Sequence, residues 1–201
     1  MKRSISGPSN LRVNIIVGTT RQERFGDKPA LWIHNLLQKR EGVTPTIVDL
    51  RDYPMPFFNE AISPAYSPEP YKDEQITKWR NSVASADAYI IVAAEYNHGY
   101  SAVLKNALDS TYYEWAKKPV GFVGYGSVGG ARSIEQLRQV AVELQMVSVK
   151  NSVNMPFQTI LDVQGITSGD NLAPLAAFEG QAEPMIEQLM WWGSVLKEAR
   201  D

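Results

Sequence analysis

Short apolar runs alternate along the chain with longer stretches in which apolar residues recur every three or four positions. This pattern predicts parallel strands covered by helices on both faces. The first run, residues 13–17, stops at Gly18. A helix is expected over 27–40, with Asp27 as N-cap, Pro29 in the first turn and Gly42 beyond its end. Residues 46–50 read as the second strand, and Ile76, Trp79 and Val83 mark the inner stripe of the next helix. Residues 89–94 are apolar throughout and suit the sheet centre. Helix is expected over 101–115, with Val103, Leu104, Ala107 and Leu108 inward. Residues 120–123 form the fourth strand. Ser133 and Gln136 match a capping box that opens the following helix, whose stripe is Ile134, Leu137, Ala141 and Leu144. Residues 146–149 are the candidate fifth strand, 151–178 read as irregular, and a closing helix carries Met185, Leu189, Trp192 and Leu196.

Five strands separated by helices suggest a flavodoxin-like or a Rossmann-like sheet within one domain over 11–201, preceded by a disordered tail over 1–10. In both folds ligand sits beyond the carboxyl ends of the strands, where strand order reverses. The turns after strands one, three and four are therefore the places to look for chemistry. The connection over 51–71 holds Pro54, Pro56, Pro64, Pro68 and Pro70, and its length marks it as functional or as an interface arm. Trp191 and Trp192 cannot both face one core, which suggests that one lies in an interface.

Composition narrows the partners. The 201 residues carry a net charge of −2, without the basic footprint of a nucleic-acid binder. No run of eighteen apolar residues occurs, so neither a signal peptide nor membrane insertion is expected. Cysteine is absent, which removes disulfides and thiolate chemistry and fits a cytoplasmic location. With only His34 and His98, and no His-Glu-x-x-His spacing, no metal site is expected.

The first turn, Gly18-Thr19-Thr20-Arg21-Gln22-Glu23-Arg24-Phe25-Gly26, offers backbone N–H groups, hydroxyls and two arginines at a helix N-terminus. Those are the parts of a phosphate cradle, though an ordinary turn with solvated arginines has the same composition. It lacks the Gly-Lys-Ser/Thr ending of a nucleoside triphosphate loop. The second turn holds Glu95, Tyr96, Asn97, His98, Gly99 and Tyr100, which suit a planar heteroaromatic ligand or, more simply, packing at the sheet rim. The third contains Gly124-x-Gly126-x-x-Gly129, a literal dinucleotide fingerprint in the wrong place: it follows strand four, and Glu143 falls in a helix. These glycines read instead as a loop that lets backbone approach a flat ligand. Ser127 is no nucleophile elbow, because Tyr125 takes the required glycine position.

Taken in order, Gly18-Thr-Thr-Arg-x-x-Arg24, Glu95-Tyr-Asn-His-Gly-Tyr100, Leu104-Lys-Asn-Ala-Leu-Asp109, Glu114-Trp115 with Lys118-Pro119, and Tyr125-Gly-Ser-Val-Gly-Gly-Ala-Arg132 resemble the NADPH-dependent FMN reductase family, which includes quinone and azo-dye reductases. The resemblance runs from residue 12 to about 157. It implies a flavodoxin-like three-layer sandwich, a five-stranded parallel sheet of order 2-1-3-4-5 with helices on both faces. It implies FMN as cofactor and NADPH or NADH as donor. It assigns the FMN phosphate to Thr19, Thr20, Arg21 and Arg24, and the ring to Glu95, Tyr96, Asn97 and His98 with Gly126 and Ser127 near its edge; Gly18 and Gly129 are further expected cofactor-binding residues. It implies a homodimer or homotetramer paired through the helix with Lys105 to Asp109, and residues 54–58 reaching a neighbour's flavin. Ala94 stands where the family usually has proline, a departure expected to loosen that loop. After Pro156 the match ends, and Asp170, Asn171 and Glu179 read as surface loop or as the edge of an acceptor pocket.

The implied activity is hydride transfer from NAD(P)H to flavin and onward transfer to a quinone, azo compound, free flavin or similar small acceptor, with no protein acid–base pair. The rivals are a flavodoxin-type carrier, for which −2 is a mild charge, and a flavin-binding regulatory module. A phospho-accepting domain would need acidic residues where Gly18-Thr19-Thr20-Arg21 stands.

Overall fold

The structure, a computed structural model, describes residues 10–67, 72–164 and 172–200. Strands β1 (Leu11–Val17), β2 (Val43–Asp49), β3 (Ala88–Ala94), β4 (Pro119–Gly126), β5 (Val147–Ser148) and β6 (Val153–Pro156) form one parallel sheet. Its order is β2-β1-β3-β4-β5, with β6 also paired to β4. The expected order is thus present, and it reverses direction between β1 and β3.

Side-chain alternation divides the core. Val13, Ile15 and Val17 of β1 with Ile90 and Val92 of β3 face α1 (Asp27–Gln38), α5 (Phe157–Gln164) and α6 (Glu179–Arg200). Ile16, Tyr89, Ile91 and Phe122 face α2 (Glu74–Ser85), α3 (Ala102–Asp109) and α4 (Ala131–Glu143). Both faces of β3 are buried, which explains its unbroken apolar run. Pro45 is tolerated because β2 is an edge strand. Lys118 is buried, and its ammonium donates to Val83 O and Ala84 O in the last turn of α2 and to Tyr89 Oη. Burial lowers its pKa to about 8.

Several expectations are corrected. Asp27 is the first residue of α1 and not its cap, since its carboxylate is taken by Arg24. Ser133 and Gln136 form no capping box: α4 begins at Ala131, Ser133 Oγ donates to Ala94 O, and Gln136 donates to His98 O. The helix expected to reach Trp115 stops at Asp109, where Ser110 turns its hydroxyl to Asn106 O, and a separate 3-10 turn carries Trp115.

The fifth strand is split. Between β5 and β6, Arg138 of α4 donates to Ser148 Oγ, Val149 O and Lys150 O, while Gln188 of α6 accepts from Lys150 N and Asn151 N. Side chains from two helices thereby replace the missing ladder. The region 151–178 is accordingly ordered into β6, α5 and a 3-10 turn over Ala173–Phe178 where it is described. Asp170 and Asn171 lie outside the described residues, and Glu179 is an exposed first residue of α6.

The connection after β2 is strapped to α3. Asn106 accepts from Phe58 N at 2.7 Å and donates to Pro56 O at 2.8 Å, which gives the buried asparagine of Leu104-Lys-Asn-Ala-Leu-Asp109 its role. Residues 1–9 and Pro68 and Pro70 lie outside the described residues. Trp191 is half exposed and meets Trp192 edge-on, while Trp192 packs on the core.

Candidate functional site

The turn after β1 is built on an ion cluster. The Arg24 side chain is almost wholly buried, and its Nε and Nη2 donate to Asp27 Oδ1 at 2.8 and 2.5 Å. Nη1 and Nη2 donate to the two oxygens of Asp49 at 2.9 and 2.5 Å, and Nη1 also donates to Thr19 O. A guanidinium has five N–H groups, and these five bonds use all of them. Arg51 donates to Asp49 from the other side at 2.9 and 2.7 Å. Burial alone would push the Asp49 carboxyl up, but hydrogen bonds from Arg24 and Arg51 outweigh it and hold the pKa at about 2. Burial likewise works against the charge on Arg24, and its bonds to Asp49 and Asp27 leave its pKa raised. Arg24, expected at a phosphate, is therefore committed to shaping the loop. Arg21 and Thr20 are exposed, and among the described residues the Arg21 guanidinium has no partner.

Ser101, the N-cap of α3, accepts from Leu104 N and donates to Gly18 O, joining the end of β1 to that helix. Thr19 Oγ1 shares a 2.8 Å hydrogen bond with Tyr96 Oη, joining the first turn to the second. In that second turn Tyr96 and Gly99 exchange both backbone hydrogen bonds, with Asn97 at φ 49° and His98 at φ 70°. Positive φ at both central residues is the pattern of a two-residue type I′ reversal, and Asn is among the residues that tolerate it. Glu95 is clamped by Arg132, which donates from Nε at 2.6 Å, from Nη2, and from its backbone N at 3.1 Å. The Arg132 Nη1 donates to His98 Nε2 at 2.7 Å, which requires His98 to carry its proton on Nδ1. With Ser133 on Ala94 O and Gln136 on His98 O, the loop is held at four points despite Ala94 replacing proline.

The third turn closes at Gly130, where φ is 72° and a Cβ would lie 2.5 Å from Tyr125 N. Gly126, at φ 148°, sits directly against Glu95, whose Cβ would be 3.0 Å from one added there.

Between these turns, at the carboxyl ends of β1, β3 and β4, opens a cleft of about 370 Å³. Arg21, Glu23, Glu95 and Ser127 give it a polar side; Phe25, Tyr125, Phe157 and Ile160 give it an apolar one. A model of the family described as NADPH-dependent FMN reductase matches residues 11–159. The chain belongs to that family. It is 32% identical over 157 residues to an NAD(P)H-dependent FMN reductase of Schizosaccharomyces pombe, covering 77% of this chain and 78% of that protein. Identity to a quinone reductase of Pseudomonas putida is 31% over 141 residues, covering 67% and 71% of the two chains. Among solved structures, FerB, a flavoenzyme NAD(P)H:(acceptor) oxidoreductase from Paracoccus denitrificans, overlays with a TM-score of 0.58 at 17% identity over 92% of this chain and 94% of that one. RosB overlays with a TM-score of 0.72 at 13% identity over 94% and 81%. These last two likenesses bear on the fold alone.

Membership of this family makes the chain an oxidoreductase, and the family's description names FMN and NADPH. Of the residues expected at the cofactor, Arg21, Arg24, Glu95, Tyr96, Gly126 and Ser127 line the cleft. Gly18, Thr19, Thr20, Asn97, His98 and Gly129 stand outside its lining: Gly18 is a packing glycine against Val92 O and Leu104, and Gly129 O is bonded by Asn154. Arg132, Tyr125, Phe157 and Ile160 carry parts of the site that motif reading did not assign. Arg132 and Tyr125 were within reach, since both lie inside the Tyr125–Arg132 motif.

The residues present fit a flavin nucleotide. The exposed Arg21 guanidinium lines the cleft within the turn that leads into α1, and Gly126 brings backbone into the same lining. The Tyr125 hydroxyl lies buried in the cleft wall with no hydrogen-bond partner among the described residues, its pKa raised by burial. An orphaned buried hydroxyl costs about 1–3 kcal/mol, and a polar ligand or the water it carries relieves that cost.

Proposed function

We propose that the single domain over 11–201 binds FMN in this cleft and uses it to pass electrons from NAD(P)H to a small-molecule acceptor of the quinone, azo or free-flavin class. The observation that carries this reading is the convergence of three turns on one cleft at the reversal of strand order. Relatives named quinone reductase and 2-hydroxy-1,4-benzoquinone reductase support the acceptor class. Bound there, the flavin supplies hydride acceptance and onward electron donation.

The chain's own groups do the holding. Arg21, Thr20 and the N–H groups opening α1 meet the phosphate, while Arg24 keeps that loop in shape from behind. Arg132 fixes Glu95 and, through His98, the turn carrying Asn97. Backbone at Gly126 and Ser127 approaches the ring edge, and Gly18, Thr19 and Gly129 support these segments. No side chain is asked to act as acid or base.

A visible spectrum tests the reading. FMN-loaded protein should show a flavin band that bleaches anaerobically with NADPH and returns on adding a quinone. A band that NADPH leaves unchanged would replace the reductase with a carrier or regulatory module, and a chain that takes up no FMN would remove the site.

We propose further that copies of the chain pair through α3 and the strap over 53–67. Phe57, Ile62, Tyr66 and Tyr113 are large apolar side chains left exposed on and beside that strap. Light scattering should give a dimer or tetramer, and a monomeric wild-type mass would refute the pairing. We also place the protein in the cytoplasm, on the absence of cysteine. No helix among the described residues is long and apolar enough to cross a membrane. Cell fractionation tests this placement.

A further inference from the structure

We infer that Phe157, backed by Ile160, is the surface on which the electron acceptor's ring stacks, and that it makes the site prefer flat, uncharged, apolar acceptors. The inference rests on the proposed function and adds a specificity-determining residue to it.

Placement comes from strand register. β6 pairs with the end of β4 so that Pro156 lies beside Gly126, roughly 4.8 Å away. Phe157 is the next residue, the first of α5, and therefore stands next to Ser127 at the mouth of the cleft. Its position is rigidly backed, because Ile160 and Val163 of the same helix are buried in the core with Met155. Yet Phe157 itself is 52% exposed. The loops after β1, β3 and β4 supply the groups assigned to the cofactor, whereas Phe157 comes from the start of α5, after β6. Arg21 and Glu23 give the same cleft charged groups. Of the cleft's aromatic residues Phe25 and Tyr125 are buried and Tyr96 is less open, so Phe157 presents the most accessible ring to an incoming planar molecule. Aromatic stacking favours flat rings with little charge over compact hydrophilic anions.

The test uses FMN-loaded wild type and the variants Phe157→Ala and Phe157→Tyr, with FMN affinity measured first by flavin fluorescence. NADPH turnover is then followed with 2-methyl-1,4-naphthoquinone and, separately, with ferricyanide. Phe157→Ala should lower kcat/KM for the naphthoquinone about tenfold relative to that for ferricyanide, both taken per FMN-loaded protein. Phe157→Tyr, which keeps the ring, should restore the quinone rate. An unchanged quinone kcat/KM in Phe157→Ala overturns the inference. So does a loss of FMN affinity with equal loss for both acceptors, which would make Phe157 part of the cofactor's own pocket. A wild type that takes up no FMN fails at the first step and overturns the proposed function, so the two failures are distinct.

Discussion

Replacing Arg24 with methionine separates a residue that shapes the loop from one that grips a phosphate. Methionine fills much of the same space but has no N–H donor, so five hydrogen bonds disappear at once. Three acceptors lose a partner: Asp27, Asp49 and Thr19 O. Removing one member of a well-buried ion pair costs about 3–5 kcal/mol, because the other charge is stranded. Here the stranding is partial. Arg51 still holds Asp49 through two side-chain hydrogen bonds and one from its backbone N, and Asp27 is half exposed, so the expected loss is about 2–3 kcal/mol. The assay is urea unfolding of the FMN-free protein, compared with wild type at the same pH. Measuring without flavin matters, since any ligand that binds the native state adds its own stabilisation. If Arg24 instead waited for the phosphate, the flavin-free variant would be almost as stable as wild type, within about 0.5 kcal/mol. That result, with selective loss of FMN over riboflavin binding, would refute the structural role.

The exposed Arg21 should behave in the opposite way. Arg21→Ala is expected to leave flavin-free stability unchanged and to weaken FMN about 10- to 100-fold, the range of one or two charge-assisted hydrogen bonds, with riboflavin unaffected in a fluorescence titration. Asp49 carries an acid signature. Its folded pKa, about 2, lies below the ordinary 3.8, so its stabilisation is complete above pH 4 and is lost as pH falls toward 2. Discounted for partial exposure, the loss is about 1 kcal/mol; Asp49→Asn should flatten that part of the acid-unfolding curve, and an unchanged curve would argue against the cluster. Gly130→Ala places a methyl 2.5 Å from Tyr125 N at a positive φ, and should destabilise by more than about 3 kcal/mol in thermal or urea unfolding.

How far the sequence reveals this site depends on whether a residue's partner is near it in the chain. The strands were legible because burial on both faces leaves an unbroken apolar run, as in β3. Helix starts were less so, since the residues that cap helices also tie loops together. Asp27 and Ser133 look like caps by local context, but one is claimed by Arg24 and the other by Ala94 O. The split edge strand could not be read locally, because the groups that satisfy its backbone, Arg138 and Gln188, come from helices on either side of it in the chain. Phe157 was hidden for the same reason: its place at the cleft follows from the pairing of its neighbour Pro156 with Gly126, thirty positions earlier. Arg24 shows the limit most sharply. Two arginines in a strand-to-helix turn are equivalent by composition, and they are told apart by partners in space: Asp27 and, from the end of another strand, Asp49 hold Arg24, while Arg21 is exposed. Under the proposed function Arg24 holds this loop from behind and Arg21 meets the phosphate. Removing the Asp49 charge, by Asp49→Asn, should loosen Arg24 without releasing it, since Asp27 and Thr19 O still hold it.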